Sequence, residues 1–344
     1  MLKHINFHPP KDWQRITTID MHTGGEPLRI IIDGLPKIMG DNILEMRRYF
    51  KEHFDHIRTG LMWEPRGHAD MYGAIITPPF TKGADFGTFF LHNEGYSTMC
   101  GHAIIALTKF VIETGMIRKQ GSFPELKIDA PPGLIRSKPY IDEEKVLKTF
   151  FLNVPSFLYL SDKDVYVPGM GNVKFDIAYG GAFYAFVDAE LLGLSLEASE
   201  YHRLIDYGRR IKSAVIEKFP IEHPFEKDLS FLYGTIFTGK AQNPKNHSRN
   251  VCIFADGEVD RSATGSGVSA RAALHFAKGQ IAIGETITIE SILGTTMTVK
   301  VDSKTTYGPY DAVIPEVSGS SNFVGKNEFW FDPEDELMKG FIFR

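Results

Sequence analysis

The chain presents the same short motifs twice in the same order, and that duplication restricts its architecture more than any other property. Cys100-Gly101 stands 164 residues before Thr264-Gly265, and each pair precedes an apolar, helix-patterned run. The runs end at Gly115 and Gly279, at the same separation, where glycine can close a helix C-terminus. Tyr72-Gly73-Ala74-Ile75 pairs with Tyr233-Gly234-Thr235-Ile236 at 161 residues, and Ile128-Asp129-Ala130-Pro131-Pro132-Gly133 pairs with Ile289-Glu290-Ser291-Ile292-Leu293-Gly294 at the same 161. Gly24-Gly25 pairs with Gly180-Gly181 at 156. Matches in one order with slowly drifting separations mark an internal repeat.

Both copies follow one plan. A strand leads into the Gly-Gly turn, and a β-branched and aromatic strand leaves it, at 28–32 and 183–187. The pattern then predicts a charged amphipathic helix over 41–56 and 198–218. Two strands follow, the Tyr-Gly strand and another at 88–92 or 250–255, and then a helix over 101–114 or 265–278 opened by Cys100 or Thr264. The charged run Asp142-Glu143-Glu144-Lys145 reads as a hairpin tip or as the approach to a crossover between copies. A duplicated α+β unit packs most simply as two domains about a pseudo-twofold axis. Residues 1–155 and 156–324 are the expected domains, with the tail 325–344 returning to the first. The axis would bring Cys100 and Thr264 face to face across an interdomain cleft, a favoured place for a ligand.

Composition narrows the class. At 344 residues the chain is long enough for about two domains. Its 38 basic and 43 acidic side chains, a net charge of −5, give no electrostatic footprint for nucleic acid or an anionic membrane. No apolar run approaches a membrane span, and the stretch MLKHINFHPPKDWQR lacks the apolar core of a signal peptide. Two cysteines, Cys100 and Cys252, cannot build a disulfide framework and fit a reducing compartment. A cytoplasmic location is expected, and a homodimer is left open.

A thiol at a helix N-terminus faces unpaired N–H groups and the positive end of the helix dipole, which favour thiolate. Cys100 is therefore a candidate base, whereas Thr264, its counterpart, is a poor one. Two helix starts aimed at one cleft make an anion site suited to a carboxylate, with donors at Gly101, His102, Gly265 and Ser266. Glycine there would permit close approach. His102 titrates near neutrality as a free side chain and is a candidate to orient substrate or exchange protons. Asp260 either receives a ring ammonium or pairs with Arg261. Cys252, in Asn250-Val251-Cys252-Ile253-Phe254, reads as a buried strand residue.

Three other readings are weaker. Gly265-Ser266-Gly267-Val268-Ser269-Ala270 fits a loose dinucleotide pattern, but no strand immediately precedes it. His53 with His56, and His68 with Asp70, lack a recognised metal spacing, so no metal is expected. A Cys-His hydrolase would need His102 to reach Cys100, and residues two apart on a helix do not face one another.

Together these segments resemble the proline racemase family. The resemblance rests on Met99-Cys100-Gly101-His102-Ala103, Gly24-Gly25-Glu26-Pro27, Glu64-Pro65-Arg66-Gly67-His68 with Asp70-Met71-Tyr72-Gly73, Asp176-Ile177-Ala178-Tyr179-Gly180-Gly181, Asp260-Arg261-Ser262 and Glu290-Ser291-Ile292-Leu293-Gly294. It implies the diaminopimelate-epimerase-like fold, two pseudo-symmetric α+β domains each with a mixed sheet wrapped around a central helix, the active site between them, and no cofactor. Members that racemise use one cysteine on each face of the α-carbon. Thr264 stands in place of the second cysteine, as in the branch that dehydrates trans-3-hydroxy-L-proline. The resemblance thus implies a small imino acid substrate, Cys100 as the base and Thr264 as a hydrogen-bonding wall residue. Proline racemase or 4-hydroxyproline 2-epimerase activity, with water behind Thr264 as the second acid, is the alternative. A non-catalytic imino-acid-binding protein is a third reading. Tyr72 and Tyr233 are candidate walls for the ring.

Overall fold

The computed structural model describes residues 7–343. Residues 1–6 and 344, the outer ends of the predicted N-terminal and tail segments, lie outside them. The α-helices are α1 (Ile43–Met62), α2 (Gly101–Glu113), α3 (Tyr201–Lys218) and α4 (Gly265–Ala277).

The repeat is visible in the strand pairing. Glu26–Asp33 runs parallel to Tyr72–Thr77 across the α1 crossover, and Phe183–Asp188 runs parallel to Leu232–Gly239 across α3. Phe86–His92 runs parallel to Leu126–Ala130 across α2, and Ser248–Phe254 runs parallel to Thr286–Glu290 across α4. The remaining neighbours in each copy are antiparallel, so both sheets are mixed. In the second copy, Tyr310–Gly319 returns to pair with Ser156–Val167, closing the sheet into a barrel. The same strand also pairs with Lys145–Leu152 of the first copy, and Ser321–Phe331 pairs with Gln14–Thr23 along its whole length. The tail thereby completes the first copy's sheet.

Burial explains why two helices lie inside the sheets and two outside. In α2 the first eight residues and then Phe110 and Val111 are buried, and in α4 everything from Gly265 to Leu274 is buried. A helix buried on all sides has to be surrounded, here by sheet. In α3 the buried residues are Leu204, Gly208, Ile211 and Val215, a single stripe at helical spacing that packs on the outer face of the second sheet. Burying Leu204, Ile211 and Val215 stabilises that contact by roughly 1.5–3 kcal/mol each. The helix α1 begins at the Asn42 N-cap and runs six residues past its predicted end. It kinks at Phe54 (φ −131°, ψ 18°) and continues because Ile57, Leu61 and Met62 are buried, tertiary packing that local pattern does not report. The predicted start of α3 at 198 is a short 3-10 turn, Ala198–Glu200.

Gly115 and Gly279 follow the helix ends with φ of +71° and +68°, as a C-terminal glycine requires. Glu143 and Glu144 also have positive φ, at +44° and +67°, between two paired strands, so the charged run is a hairpin tip. Among the described residues no helix is long and apolar enough to cross a membrane.

Candidate active site

Where α2 and α4 meet, their first residues touch. A Cβ built on Gly101 would lie 2.5 Å from Gly265 Cα, and one built on Gly265 would lie 2.5 Å from Gly101 Cα. The glycines therefore serve the approach of one helix start to the other, where the sequence suggested approach of a ligand. Beside this contact lies a cavity lined by all seven residues picked out by sequence: Cys100, Gly101, His102, Asp260, Thr264, Gly265 and Ser266. Tyr72 and Tyr233, the candidate ring walls, also line it, as do Met99, Tyr184, Cys252 and Phe254. The first N–H groups of a helix have no partner within it, so both helix starts offer donors here.

The two copies cross at several polar points around the cavity. Asp70 accepts from Tyr201 Oη at 2.9 Å and pairs with Arg261 at 2.9 Å. Glu26 Oε2 accepts from the Arg261 backbone N–H at 2.7 Å. His92 meets the buried Glu258 at 3.2 Å, and Thr98 Oγ1 donates to the Gly181 carbonyl at 2.6 Å. Arg261 thus pairs with Asp70. Asp260, freed from the structural ion-pair reading, accepts from the Ser262 N–H at 2.7 Å and faces the cavity.

Cys100 is the N-cap of α2 and its Sγ accepts from the Ala103 N–H at 3.3 Å. His102 Nδ1 lies 3.1 Å from the same sulfur. That contact corrects the expectation that the two side chains would not meet. Cys100 precedes the helix with extended backbone (φ −140°), so its side chain folds back over the first turn and helical i,i+2 geometry does not apply. Tyr72 packs edge-on against the His102 ring at 4.8 Å between centroids.

The electrostatics of the empty cavity also differ from expectation. Burial pushes the Cys100 thiol well above its ordinary pKa, outweighing the Ala103 N–H that favours thiolate. Burial drives His102 down to about 3, so its imidazole is neutral at physiological pH. Asp260 is raised to about 6, again by burial. Near neutral pH the Cys100 thiol and the His102 imidazole are thus uncharged, and Asp260 is the anionic group of the site.

Thr264 is the N-cap of α4, with φ +67° and no capping hydrogen bond. Its hydroxyl is buried beside the Asp260 carboxyl and the Cys252 thiol, and its proton favours the ionised form of each and lowers the pKa of both. Tyr233 Oη is likewise buried, and Tyr184 Oη is 2.7 Å from Ser266 Oγ.

Sequence reading did not place Tyr184, Met99 or Phe254 at the site, and took Cys252 as core alone. Cys252 is indeed a buried strand residue. It also lines the cavity with Phe254, two positions along the same strand, because alternate strand residues share a face. Every residue of Ser248–Phe254 is buried, so no polar alternation distinguishes a core face from a cleft face. The Cys100–His102 contact removes the spacing argument against a Cys-His hydrolase, but an imidazole with a pKa of about 3 is too weak to serve as its base. Gly265-Ser266-Gly267 is the first turn of a buried helix. Asp70 is held by Arg261 and Tyr201, and His68 Nδ1 contacts the Ala69 carbonyl.

An α+β chain whose two copies present helix starts to a shared cavity, one capped by cysteine, is built as a racemase or epimerase scaffold is. The chain belongs to the proline racemase family, matching the family described as Proline racemase over residues 18–342. It is 52% identical over 329 residues to a trans-3-hydroxy-L-proline dehydratase of Colwellia psychrerythraea, covering 96% of this chain and 93% of the relative. It is 44% identical over 329 residues to a 3-hydroxyproline 2-epimerase of Burkholderia multivorans, covering 96% and 98%. Among solved structures, a hydroxyproline epimerase from Agrobacterium vitis with bound trans-4-hydroxy-L-proline superposes with a TM-score of 0.90 at 28% identity, covering 96% of each chain. The fold is the epimerase-like α+β fold that the repeat and the resemblance led us to expect.

Proposed function

We propose that this chain is a hydro-lyase that converts trans-3-hydroxy-L-proline to Δ1-pyrroline-2-carboxylate, with Cys100 as its single base. The observation that carries the reading is the unlike pair of helix caps on one cavity: a thiol held at the start of α2, and a hydroxyl where a second thiol would stand at the start of α4. The dehydratase name of the Colwellia relative supports it.

The chemistry follows from the contacts. The substrate carboxylate takes the free N–H donors at Gly101, His102, Gly265 and Ser266, which also hold the charge that develops when the α-proton leaves. The ring ammonium faces Asp260 and favours its ionised form. The same positive charge lowers the cost of thiolate at Cys100 in a dry site. Cys100 loses its own proton to solvent as the substrate enters, and as thiolate takes the Cα proton. The electrons left on Cα form the C2–C3 double bond and the C3–O bond breaks. In the trans isomer the hydroxyl lies on the same face as the α-proton, so the proton on Cys100 can return to the leaving oxygen, releasing water. Neutral His102 holds the sulfur and is too weak a base to be the acid as imidazolium. The enamine then tautomerises to the imine. No step needs a cofactor. The two free cysteines, both buried, support a cytoplasmic setting.

The test supplies trans-3-hydroxy-L-proline, L-proline and trans-4-hydroxy-L-proline separately in D₂O and follows imine, optical rotation and α-deuterium. Imine should form from the 3-hydroxy compound alone. Racemised proline with no imine from the 3-hydroxy compound would sink the reading, and binding with no exchange at any α-carbon would favour a capture protein.

A further inference from the structure

Behind the cavity, in the second turn of α4, lies a charged side chain to which the mechanism above gives no work. Arg271 is 7% exposed, and burial draws its pKa down to about 10, so its charge is kept there at a cost. In the repeat it stands where α2 has Leu107, an apolar residue with no exposure at all. A leucine fills the place in the first copy, so the arginine of the second calls for a reason. Its bonds supply one. Arg271 Nη1 donates to Asn250 Oδ1 at 2.5 Å, and its Nε donates to His275 Nε2 at 3.1 Å. The fully buried Asn250 passes the bond on, its Nδ2 donating to the Ala263 carbonyl at 3.3 Å. An amide can turn either its oxygen or its nitrogen to a neighbour, whereas a guanidinium only donates. Arg271 therefore fixes which end of Asn250 faces Ala263. At the other side of the same peptide, the Thr264 N–H donates to Ser262 Oγ at 3.1 Å. The Ala263–Thr264 peptide is thus pinned by its carbonyl and by its N–H. The rotation of that peptide about the N–Cα bond of Thr264 is the φ of Thr264, here +67°. Cys100, at φ −140°, needs no such hold.

We propose that Arg271 and Asn250 are positioning residues that lock the Ala263–Thr264 peptide, hold Thr264 in its left-handed conformation and so aim the start of α4 at the substrate. Neither residue lines the cavity; Arg271 acts through Asn250, and Asn250 through the peptide. The inference rests on the dehydratase reading for what the aim achieves. A β-branched residue released from this lock relaxes toward negative φ. The Gly265 and Ser266 N–H groups that follow it then turn away from the carboxylate, which keeps its donors on α2. Charge that develops when the α-proton leaves is held less well, so the reaction slows although the fold persists. Ser262 and Thr264, whose hydroxyls favour the ionised form of Asp260, belong to the same pinned segment and move with it.

Two variants break the chain at different links. Arg271→Leu gives α4 the residue of α2 and frees the Asn250 amide to turn. Asn250→Asp keeps the side chain's shape and an acceptor for Arg271, but sets an oxygen without a proton against the Ala263 carbonyl. Thermal unfolding shows that each has folded, and Asn250→Asp carries the test if Arg271→Leu has not. Imine formation from trans-3-hydroxy-L-proline is followed across pH. In both variants kcat/KM should fall by about tenfold to a hundredfold, the scale of a misplaced binding group. The fall of kcat/KM on the acid side, set by Asp260, should move up by about one pH unit as Ser262 and Thr264 withdraw. Hydrogen exchange with mass detection gives a readout that needs no activity: fragments covering 260–266 should exchange about tenfold faster, with the rest of the chain unchanged. A folded Asn250→Asp whose acid limb and exchange at 260–266 match the unsubstituted protein overturns the lock, whatever its rate. Absence of imine from the unsubstituted protein would instead sink the dehydratase reading. Exchange at 260–266 then decides on the lock alone, faster in the variants supporting it and unchanged overturning it.

Discussion

The starts of α2 and α4 occupy equivalent places in the repeat, yet their backbones differ as much as their side chains. Cys100 has ordinary extended backbone, and its sulfur is tied to the Ala103 N–H and to His102. Thr264 sits at φ +67°, a region that a β-branched residue rarely enters, and its hydroxyl makes no bond to its own helix. One start thus fixes a reactive atom against its own helix, and the other leaves a polar atom turned into the cavity. Duplication supplied the symmetric frame.

Removing the thiol is the largest way to break the comparison. Cys100→Ser keeps the cap but replaces the proposed base with an alcohol, and imine formation should fall by about 10³-fold or more. A variant within tenfold of the original would assign proton abstraction elsewhere. The converse change, Thr264→Cys, restores like caps. It should raise inversion of L-proline at least tenfold, read by polarimetry, while dehydration declines. A folded variant with no gain would mean that the left-handed backbone holds a sulfur out of reach of the far face, sharpening the contrast to one of conformation.

Asp260 belongs to the second start, and its effect should appear in the pH profile. With a pKa of about 6 in the empty site, it must lose a proton to receive the ring ammonium. kcat/KM should therefore fall about tenfold per pH unit below 6 and level off above it. Stability moves the other way. The folded chain keeps a proton there that an unfolded aspartate releases near ~3.9, so this group's contribution declines as pH rises from about 4 to about 6 and is constant beyond. A kcat/KM profile flat between pH 5 and 7 would remove Asp260 from substrate binding.

The contact between the starts is the next test. In Gly101→Ala the added methyl meets the backbone of Gly265, which cannot swing aside as a side chain would. Overpacking of this kind costs about 1–3 kcal/mol. Thermal unfolding should shift down by several degrees, and dehydration should fall because the N–H groups that share the carboxylate are pushed apart. An unchanged melting temperature would show that the two helices part at little cost, and that the cavity is less rigid than its packing suggests.

How much of this was legible in the sequence depends on which force placed each residue. The frame was, because glycines at turns and helix ends and the apolar runs of α2 and α4 are local signals, and their recurrence at a near-constant separation exposes the repeat. All seven candidate site residues lie beside helix starts that such signals locate, so they came together as expected. The extension of α1 to Met62 was hidden because it depends on packing. The Cys100–His102 contact was hidden because an N-cap does not obey helical spacing. The thiol of Cys100 and the imidazole of His102 were misjudged for one reason: isolated values and the helix dipole were legible, whereas the depth of burial that overrides them was not. Cys252 was read as a core strand residue, as it is, but its place on the cavity was hidden because its strand is buried on both faces.

The smallest expected effect isolates the backbone half of the comparison. In Thr264→Gly the left-handed conformation loses its strain, of order 1–3 kcal/mol for a residue held there. Against this stand the greater chain entropy that glycine loses on folding, about 0.5–1 kcal/mol, and the loss of the threonine methyl that packs on Gly267. The balance is a stabilisation of about 1 kcal/mol, seen as a rise of about 2 °C in thermal unfolding. A fall in melting temperature would mean that Thr264 is held by its packing at no conformational cost, and the contrast between the two starts would then reduce to sulfur against oxygen.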